Sequence, residues 1–113
     1  MKNWQHSFPP MKMRTEKVFS LLGLARRAGR VCWQEEANLA AIRSGKAKLL
    51  LLAGDAGQAT AKKYLDKSRH YRVPVVIFAD KATLGRALGT TPRAAVTVLD
   101  EGFAGQITRE LCE

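Results

Sequence analysis

Apolar positions along the chain alternate between helical spacing and short strand-like runs. Val18, Leu21, Leu22 and Ala25 fall at helical spacing, and Gly29 follows where a helix would end, so a first helix is predicted over 16–28. Similar patterns predict further helices over 35–44, 58–70, 81–88 and 101–111. Short apolar runs predict strands over 31–33, 48–53, 73–78 and 94–99. Strands alternating with helices are typical of a layered α/β/α domain.

The run from Leu49 to Ala53 is almost continuously apolar and lies between two glycines. Such a run indicates a central strand covered on both faces, and it is far too short to span a membrane. Residues 1–14 contain Trp4, Phe8 and two prolines without periodicity, so we expect a flexible N-terminal tail there. Residues 15–113 are then long enough for one domain.

Charge changes this picture more than any other property of the composition. The chain carries 19 Lys and Arg against 10 Asp and Glu, a formal net charge of +9. Four of the acidic residues lie in 100–113, so residues 1–99 hold 18 basic against 6 acidic side chains. A positive field of this size attracts polyanions, and nucleic acid is the expected partner.

The residues that usually carry catalysis or hold metals are scattered. Cys32 and Cys112 lie far apart without a second cysteine at ligand spacing, and neither His6 nor His70 has a carboxylate or cysteine at ligand or catalytic spacing. The segment 54–57, Gly-Asp-Ala-Gly, lacks the Lys-Ser/Thr pair of a phosphate loop and indicates a plain strand-to-helix turn. We therefore predict no enzyme, no cofactor, no metal, reduced thiols and a cytoplasmic location.

Basic residues gather around the two ends of the helix predicted over 35–44. Single surface cations are often only solvated, but together with the net charge these favour a face that contacts phosphates. They are Arg26, Arg27, Arg30, Arg43, Lys46 and Lys48. Trp33 is either a base-stacking residue or a half-buried core aromatic, and the sequence leaves both open.

Three stretches resemble a known family. They are Ala-Ile-Arg-Ser-Gly-Lys-Ala-Lys-Leu-Leu-Leu-Leu-Ala-Gly-Asp over 41–55, Val-Pro-Val over 73–75 and Ala-Asp-Lys-Ala-Thr-Leu-Gly-Arg-Ala-Leu-Gly over 79–89. They are similar to motifs of the kink-turn RNA-binding superfamily of ribosomal proteins L7Ae, L30e and S12e. The segments over 21–30 and 100–104 resemble its bacterial YlxQ-like branch more narrowly.

This resemblance implies a three-layer α/β/α sandwich around a four-stranded mixed sheet. It also implies non-catalytic binding of structured RNA, kink-turn-like or ribosomal, by a monomer, with no membrane, cofactor or small-molecule substrate involved. The start of the second helix and the loop before the last strand would lie side by side and contact the RNA. Six cations would flank them: Arg26, Arg27, Arg30, Arg43, Lys46 and Arg93. The implied RNA-binding residues are Arg26, Arg27, Arg30, Trp33, Gln34, Glu35, Glu36, Asn38, Arg43, Lys46, Thr91, Arg93 and Ala94.

The second helix differs from the family pattern at four positions. Where the family carries a string like G-x-N-E-x-x-K, this sequence has Gln34, Glu36, Ala37 and Ala40. An alternative hypothesis follows, in which the chain keeps the fold but is an adaptor that binds a protein through the helix face that carries Glu35 and Glu36.

Overall fold

The computed structural model describes residues 11–112, which form five helices and four strands. In chain order the elements are α1 (Met11–Arg27), β1 (Val31–Cys32), α2 (Glu35–Ser44), β2 (Leu49–Leu52), α3 (Gln58–His70), β3 (Val75–Ile77), α4 (Lys81–Leu88), β4 (Ala95–Val98) and α5 (Glu101–Cys112). The predicted bounds of α2, α3 and α4 are confirmed. Each of the four strands is one to three residues shorter than predicted.

The first helix begins earlier than the sequence pattern indicates. α1 starts at Met11 instead of Glu16, so it enters the segment expected to be a tail. Apolar periodicity begins only at Val18, whereas residues 11–14 are Met, Lys, Met and Arg, which favour helix without producing a pattern. The rest of the expected tail, residues 1–10, lies outside the described residues.

The four strands form one mixed sheet in the order β1-β4-β2-β3. β2 pairs parallel with β3 and antiparallel with β4, while β1 pairs antiparallel with β4. All four residues of β2 are buried, which confirms the predicted central strand. The register pairs Leu52 with Ala95 and Leu49 with Val98, and these pairs define the Ala95 end and the Val98 end of the sheet.

Helices cover both faces of the sheet because side chains along each strand alternate between the faces. Leu49 and Leu51 contact the core beneath α1, α4 and α5, whereas Leu50 and Leu52 contact the core beneath α2 and α3. The predicted three-layer α/β/α sandwich around a four-stranded mixed sheet is therefore confirmed. Within the described range, no helix is long and apolar enough to cross a membrane.

Residues 54–57 form the predicted turn between β2 and α3. The backbone N–H of Gly54 donates to Ala79 O at 2.8 Å, and the Asp55 carboxylate accepts a hydrogen bond from the N–H of Lys81 at 2.8 Å. Asp55 therefore joins the turn to the start of α4, where Asp80 also accepts from the Thr83 N–H at 2.7 Å. These two carboxylates satisfy amides that the helix itself leaves unpaired.

Candidate nucleic-acid interface

α2 starts with amide groups that have no partner inside the helix. Gln34 precedes the helix with an extended backbone, and the N–H of Asn38 makes the first helical bond, to Gln34 O, at 2.8 Å. Between residues 11 and 112, no side chain caps this end of α2. The N–H groups of the first turn can therefore donate to an anion, and the helix dipole favours negative charge there.

Asn38 fastens the start of α2 to the Ala95 end of the sheet. Its side chain is fully buried, its Nδ2 donates to Tyr64 OH at 3.1 Å and to Ala95 O at 3.3 Å, and its Oδ1 accepts from Thr97 Oγ1 at 2.8 Å and from Cys32 Sγ at 3.3 Å. All donors and acceptors of the amide are thus used. The placement of Asn38 on the binding surface is wrong, because its side chain belongs to the core.

Burial also affects the ionisable partners of Asn38. Desolvation raises the pKa of the Tyr64 hydroxyl and of the Cys32 thiol above their ordinary values. Both groups therefore stay neutral at physiological pH. Cys32 is a free thiol. Cys112 lies at the end of α5, where its side chain is outside the described part.

The loop over 89–94 lies at the same end of the sheet, between α4 and β4. Gly89 ends α4 in the left-handed conformation with a φ of 73°, which favours glycine. Thr91 is exposed, whereas Arg93 and Ala94 are half-buried. Three backbone hydrogen bonds anchor the loop: Thr90 N to Gly85 O at 2.7 Å, Arg93 N to Lys81 O at 3.1 Å and Ala53 N to Ala94 O at 2.8 Å.

Arg26 joins this loop region to Trp33. One terminal nitrogen of its guanidinium donates to Leu88 O, and the guanidinium carbon lies 5.0 Å from the centre of the Trp33 ring. The ring is half-buried and contacts the core beneath α1. The hydrogen bond joins α1 to α4, and the cation–π contact joins α1 to the residue that follows β1. Trp33 remains partly accessible.

An arginine that the sequence analysis missed lies beside Arg26. Arg26, Arg27 and Arg86 line a groove of about 550 Å³ between α1 and the end of α4, next to Gly89. Arg86 and Arg27 are both exposed. Arg86 lies within the stretch over 79–89, and only the packing of α4 against α1 shows that it joins the other two.

The acidic residues at the start of α2 are not equivalent. Lys63 of α3 donates to the Glu35 carboxylate at 2.6 Å, and this contact raises the pKa of Lys63. An exposed pair of this kind adds little stability, but it cancels one of the two negative charges locally. Glu36 remains exposed beside Gln34.

Three predicted residues lie at the other end of the sheet. Arg30 O accepts from the N–H of Leu99, the residue after Val98, so Arg30 lies at the Val98 end. The ten residues of α2, at 1.5 Å each, extend about 15 Å from the Ala95 end to the Val98 end. Arg43 and Lys46 follow at its far end. Arg30, Arg43 and Lys46 therefore do not flank the start of α2 and the loop over 89–94 as expected, because the length of β4 lies between the two ends of the sheet.

The remaining predicted residues are linked by contacts: Asn38 joins the start of α2 to Ala95, and Arg26 joins Trp33 to the end of α4, where Arg27 and Arg86 line the same groove. We call this surface the Ala95-end surface, and Arg86 completes it. Its members are Arg26, Arg27, Trp33, Gln34, Glu35, Glu36, Arg86, Thr91, Arg93 and Ala94. Among the described residues, no group of three His, Cys, Asp or Glu side chains could hold a metal ion.

Comparison with known proteins decides the family. The sequence model of the ribosomal protein L7Ae/L30e/S12e/Gadd45 family matches residues 16–108. The chain belongs to this family. It is 45% identical over 89 residues to the RNA-binding protein YlxQ of Bacillus subtilis, covering 79% of this chain and 89% of that protein. It is 41% identical to the RNA-binding protein YlxQ of Enterococcus faecium, covering 87% and 93%. Within the L7Ae family it therefore belongs to the bacterial YlxQ branch.

Solved structures share the fold of this L7Ae-family chain. A protein of unknown function from Bacillus halodurans superposes with a TM-score of 0.82 at 39% identity, covering 86% of this chain and 98% of that one. The Giardia lamblia 15.5kD RNA binding protein superposes with a TM-score of 0.71 at 18% identity, covering 93% and 89%. At that identity the likeness to the Giardia protein concerns the fold alone.

Proposed function

We propose that this protein binds structured RNA, without catalysis, through the Ala95-end surface. The observation that carries the proposal is the junction of the uncapped start of α2 with the loop over 89–94, which Asn38 Nδ2 fixes through its 3.3 Å hydrogen bond to Ala95 O. The proposal is also supported by the family of this protein and by the two relatives that are named RNA-binding proteins.

The charges on this surface suit a phosphate backbone. Arg27 and Arg86 are exposed beside the loop, and Lys63 offsets the charge of Glu35 at the start of α2. Cations at phosphates supply most of the affinity of such complexes, whereas amides at a helix start and a partly accessible aromatic ring position the RNA. Arg26 contributes by holding Trp33 in place.

Kink-turn recognition is the finer part of the proposal. Gln34 and Ala40 stand where the family pattern has glycine and lysine, and both are exposed. A glycine lets the backbone approach RNA closely, and a lysine adds a phosphate or base contact. We propose that the protein recognises a kink-turn-like or ribosomal RNA element. Because these two residues are missing, Gln34→Gly with Ala40→Lys should increase its affinity for a standard kink-turn.

The adaptor hypothesis has one specific observation in its favour. Gln34, Glu35, Glu36 and Leu39 line a shallow groove at the start of α2 that could receive a basic partner protein. We favour RNA because the cations of the same surface outnumber its acids. We also expect a monomer that acts in the cytoplasm.

The salt dependence of RNA affinity tests the proposal. A fluorescently labelled kink-turn hairpin is titrated with the protein at several salt concentrations, and the same titration is repeated with Arg27→Ala/Arg86→Ala. We expect the double variant to weaken binding and to reduce the log-log salt slope by roughly 1.4–1.8, since each neutralised phosphate contributes about 0.7–0.9. Lys17→Ala/Arg109→Ala, on α1 and α5, removes the same charge and serves as the control.

Two results would contradict the proposal. If the protein shows no salt-dependent affinity for structured RNA, the adaptor hypothesis replaces it. If the control and the test variant lose affinity equally, only the net charge matters and the Ala95-end surface is not the site.

A further inference from the structure

Four cations lie at the Val98 end of the sheet, opposite the Ala95-end surface. Lys48 N donates to Val98 O at 2.8 Å, and Leu99 N donates to Arg30 O at 2.8 Å. These two bonds place Arg30 and Lys48 on opposite sides of β4, about 10 Å apart, since neighbouring strands lie about 4.8 Å apart.

The other two cations come from the end of α2. Arg43 lies in its last turn, and Gly45, with a φ of 80°, ends the helix just before Lys46. Lys48 turns toward the same place, because its Nζ donates to Gly45 O at 3.4 Å. Arg43 and Lys46 are exposed.

Arg30 lies on the same face of the sheet as the other three. Its neighbour Val31 contacts the core beneath α1, α4 and α5, and Leu49, the neighbour of Lys48, contacts the same core. Since successive side chains alternate, Arg30 and Lys48 face the α2 side of the sheet. We call Arg30, Arg43, Lys46 and Lys48 the Val98-end cluster.

None of the four takes part in the ion pairs found in the described part of the chain, which join Lys62 to Asp66 and Lys63 to Glu35. Asp100 is the acid closest in sequence to β4, but its carboxylate accepts from Phe103 N at the start of α5, on the opposite face. The dipole at the end of α2 stabilises cations within its last turn, but it does not account for Arg30, which comes from another element.

We propose that the Val98-end cluster is a second RNA-binding surface, which contacts the phosphate backbone of a duplex arm of the same RNA that the Ala95-end surface binds. This inference rests on the proposed function. No aromatic side chain belongs to the cluster, so it suits sequence-independent phosphate contacts instead of base recognition. The length of α2, about 15 Å, sets the separation between the two surfaces.

The test compares two variants with the same loss of charge on two RNAs. Arg43→Ala/Lys46→Ala removes half of the cluster, and Lys17→Ala/Arg109→Ala, on the opposite face, is the control; each lowers the formal net charge by two from +9. The RNAs are a kink-turn hairpin with two long arms and the same hairpin with its arms cut back to the kink. Thermal melting establishes that both variants fold.

We expect Arg43→Ala/Lys46→Ala to weaken binding of the long-arm RNA and to reduce its log-log salt slope by roughly 1.4–1.8, with little effect on the short-arm RNA. The control variant should change the affinity for the two RNAs by the same factor. If Arg43→Ala/Lys46→Ala binds the long-arm RNA as tightly as the wild-type protein does, the inference is overturned but the proposed function is not. If this variant loses the same affinity for both RNAs, the cluster belongs to the primary binding site, and the inference is overturned as well. Absence of binding by the wild-type protein overturns both.

Discussion

Gly85 of α4 is buried directly beneath the loop over 89–94, and its replacement by alanine tests how the Ala95-end surface is built. A Cβ atom at this position would lie 2.2 Å from Thr91 O, 2.7 Å from Thr91 C and 2.9 Å from the Cα of Pro92. Non-bonded heavy atoms normally stay about 3.5 Å apart, so the loop would have to move by roughly 1 Å. All three atoms belong to the backbone, which cannot rotate away as a flexible side chain can.

The expected sign is opposite to the usual effect of this substitution. Glycine to alanine inside a helix normally stabilises a protein by about 0.5–1 kcal/mol. Overpacking of a core costs about 1–3 kcal/mol, and contact with fixed backbone favours the upper end of that range. The gain in helix propensity offsets part of this cost. We therefore expect Gly85→Ala to lower the free energy of unfolding by about 2 kcal/mol. The variant should also bind RNA more weakly, because the loop is displaced.

Gly105→Ala is the matched control. Gly105 lies within α5, and an added Cβ there would meet none of the described atoms within 4 Å. We expect this variant to be more stable than the wild-type protein by about 0.5–1 kcal/mol, with unchanged RNA affinity. Urea unfolding measures both free energies. If Gly85→Ala proves as stable as Gly105→Ala and binds RNA like the wild type, the close approach of the loop to α4 is refuted.

Three further predictions concern stability. Asn38→Ala should lower the free energy of unfolding by about 2–4 kcal/mol in urea titrations, because the buried hydroxyls of Tyr64 and Thr97 lose their hydrogen-bond partner. A loss below about 1 kcal/mol would show that the hydrogen bonds of Asn38 contribute little to stability. Asp80→Ala should lower the melting temperature at neutral pH. The hydrogen bond from Thr83 holds the pKa of Asp80 below its ordinary value, so this stabilisation is present above that value and is lost as the pH falls through the lowered pKa. The difference between the two proteins should therefore disappear in acid, and a difference that persists there would contradict the assignment. Deletion of residues 1–10 should leave the melting temperature nearly unchanged, since the sequence shows no apolar periodicity there; a fall of many degrees would show that Trp4 or Phe8 contributes to the core.

Local signals predicted most of the fold. α2 was recognisable because Ala41 and Ile42 lie on its buried face and Gly45 follows at the position where a left-handed residue ends a helix. β2 was recognisable because every residue of the run is apolar, as in a strand buried on both faces. The start of α1 was missed because residues 11–14 favour a helix without forming an apolar pattern.

The site was predicted less well because it depends on contacts between distant segments. Asn38 looks like a surface residue in the sequence, and only the approach of Cys32, Tyr64 and Thr97 from three other elements makes it a core residue. Arg43 and Arg93 were expected to flank the same site because the sequence does not show that α2 spans the sheet from one end to the other.

Photocrosslinking of the protein to a kink-turn hairpin, followed by mass spectrometry of the RNA-linked peptides, tests the central claim most directly. The proposed Ala95-end surface predicts crosslinks within 33–36 and 90–94, with Trp33 as the aromatic residue at the surface. Crosslinks confined to α3 or to the groove between α1 and α5, with none in these two segments, would contradict the account.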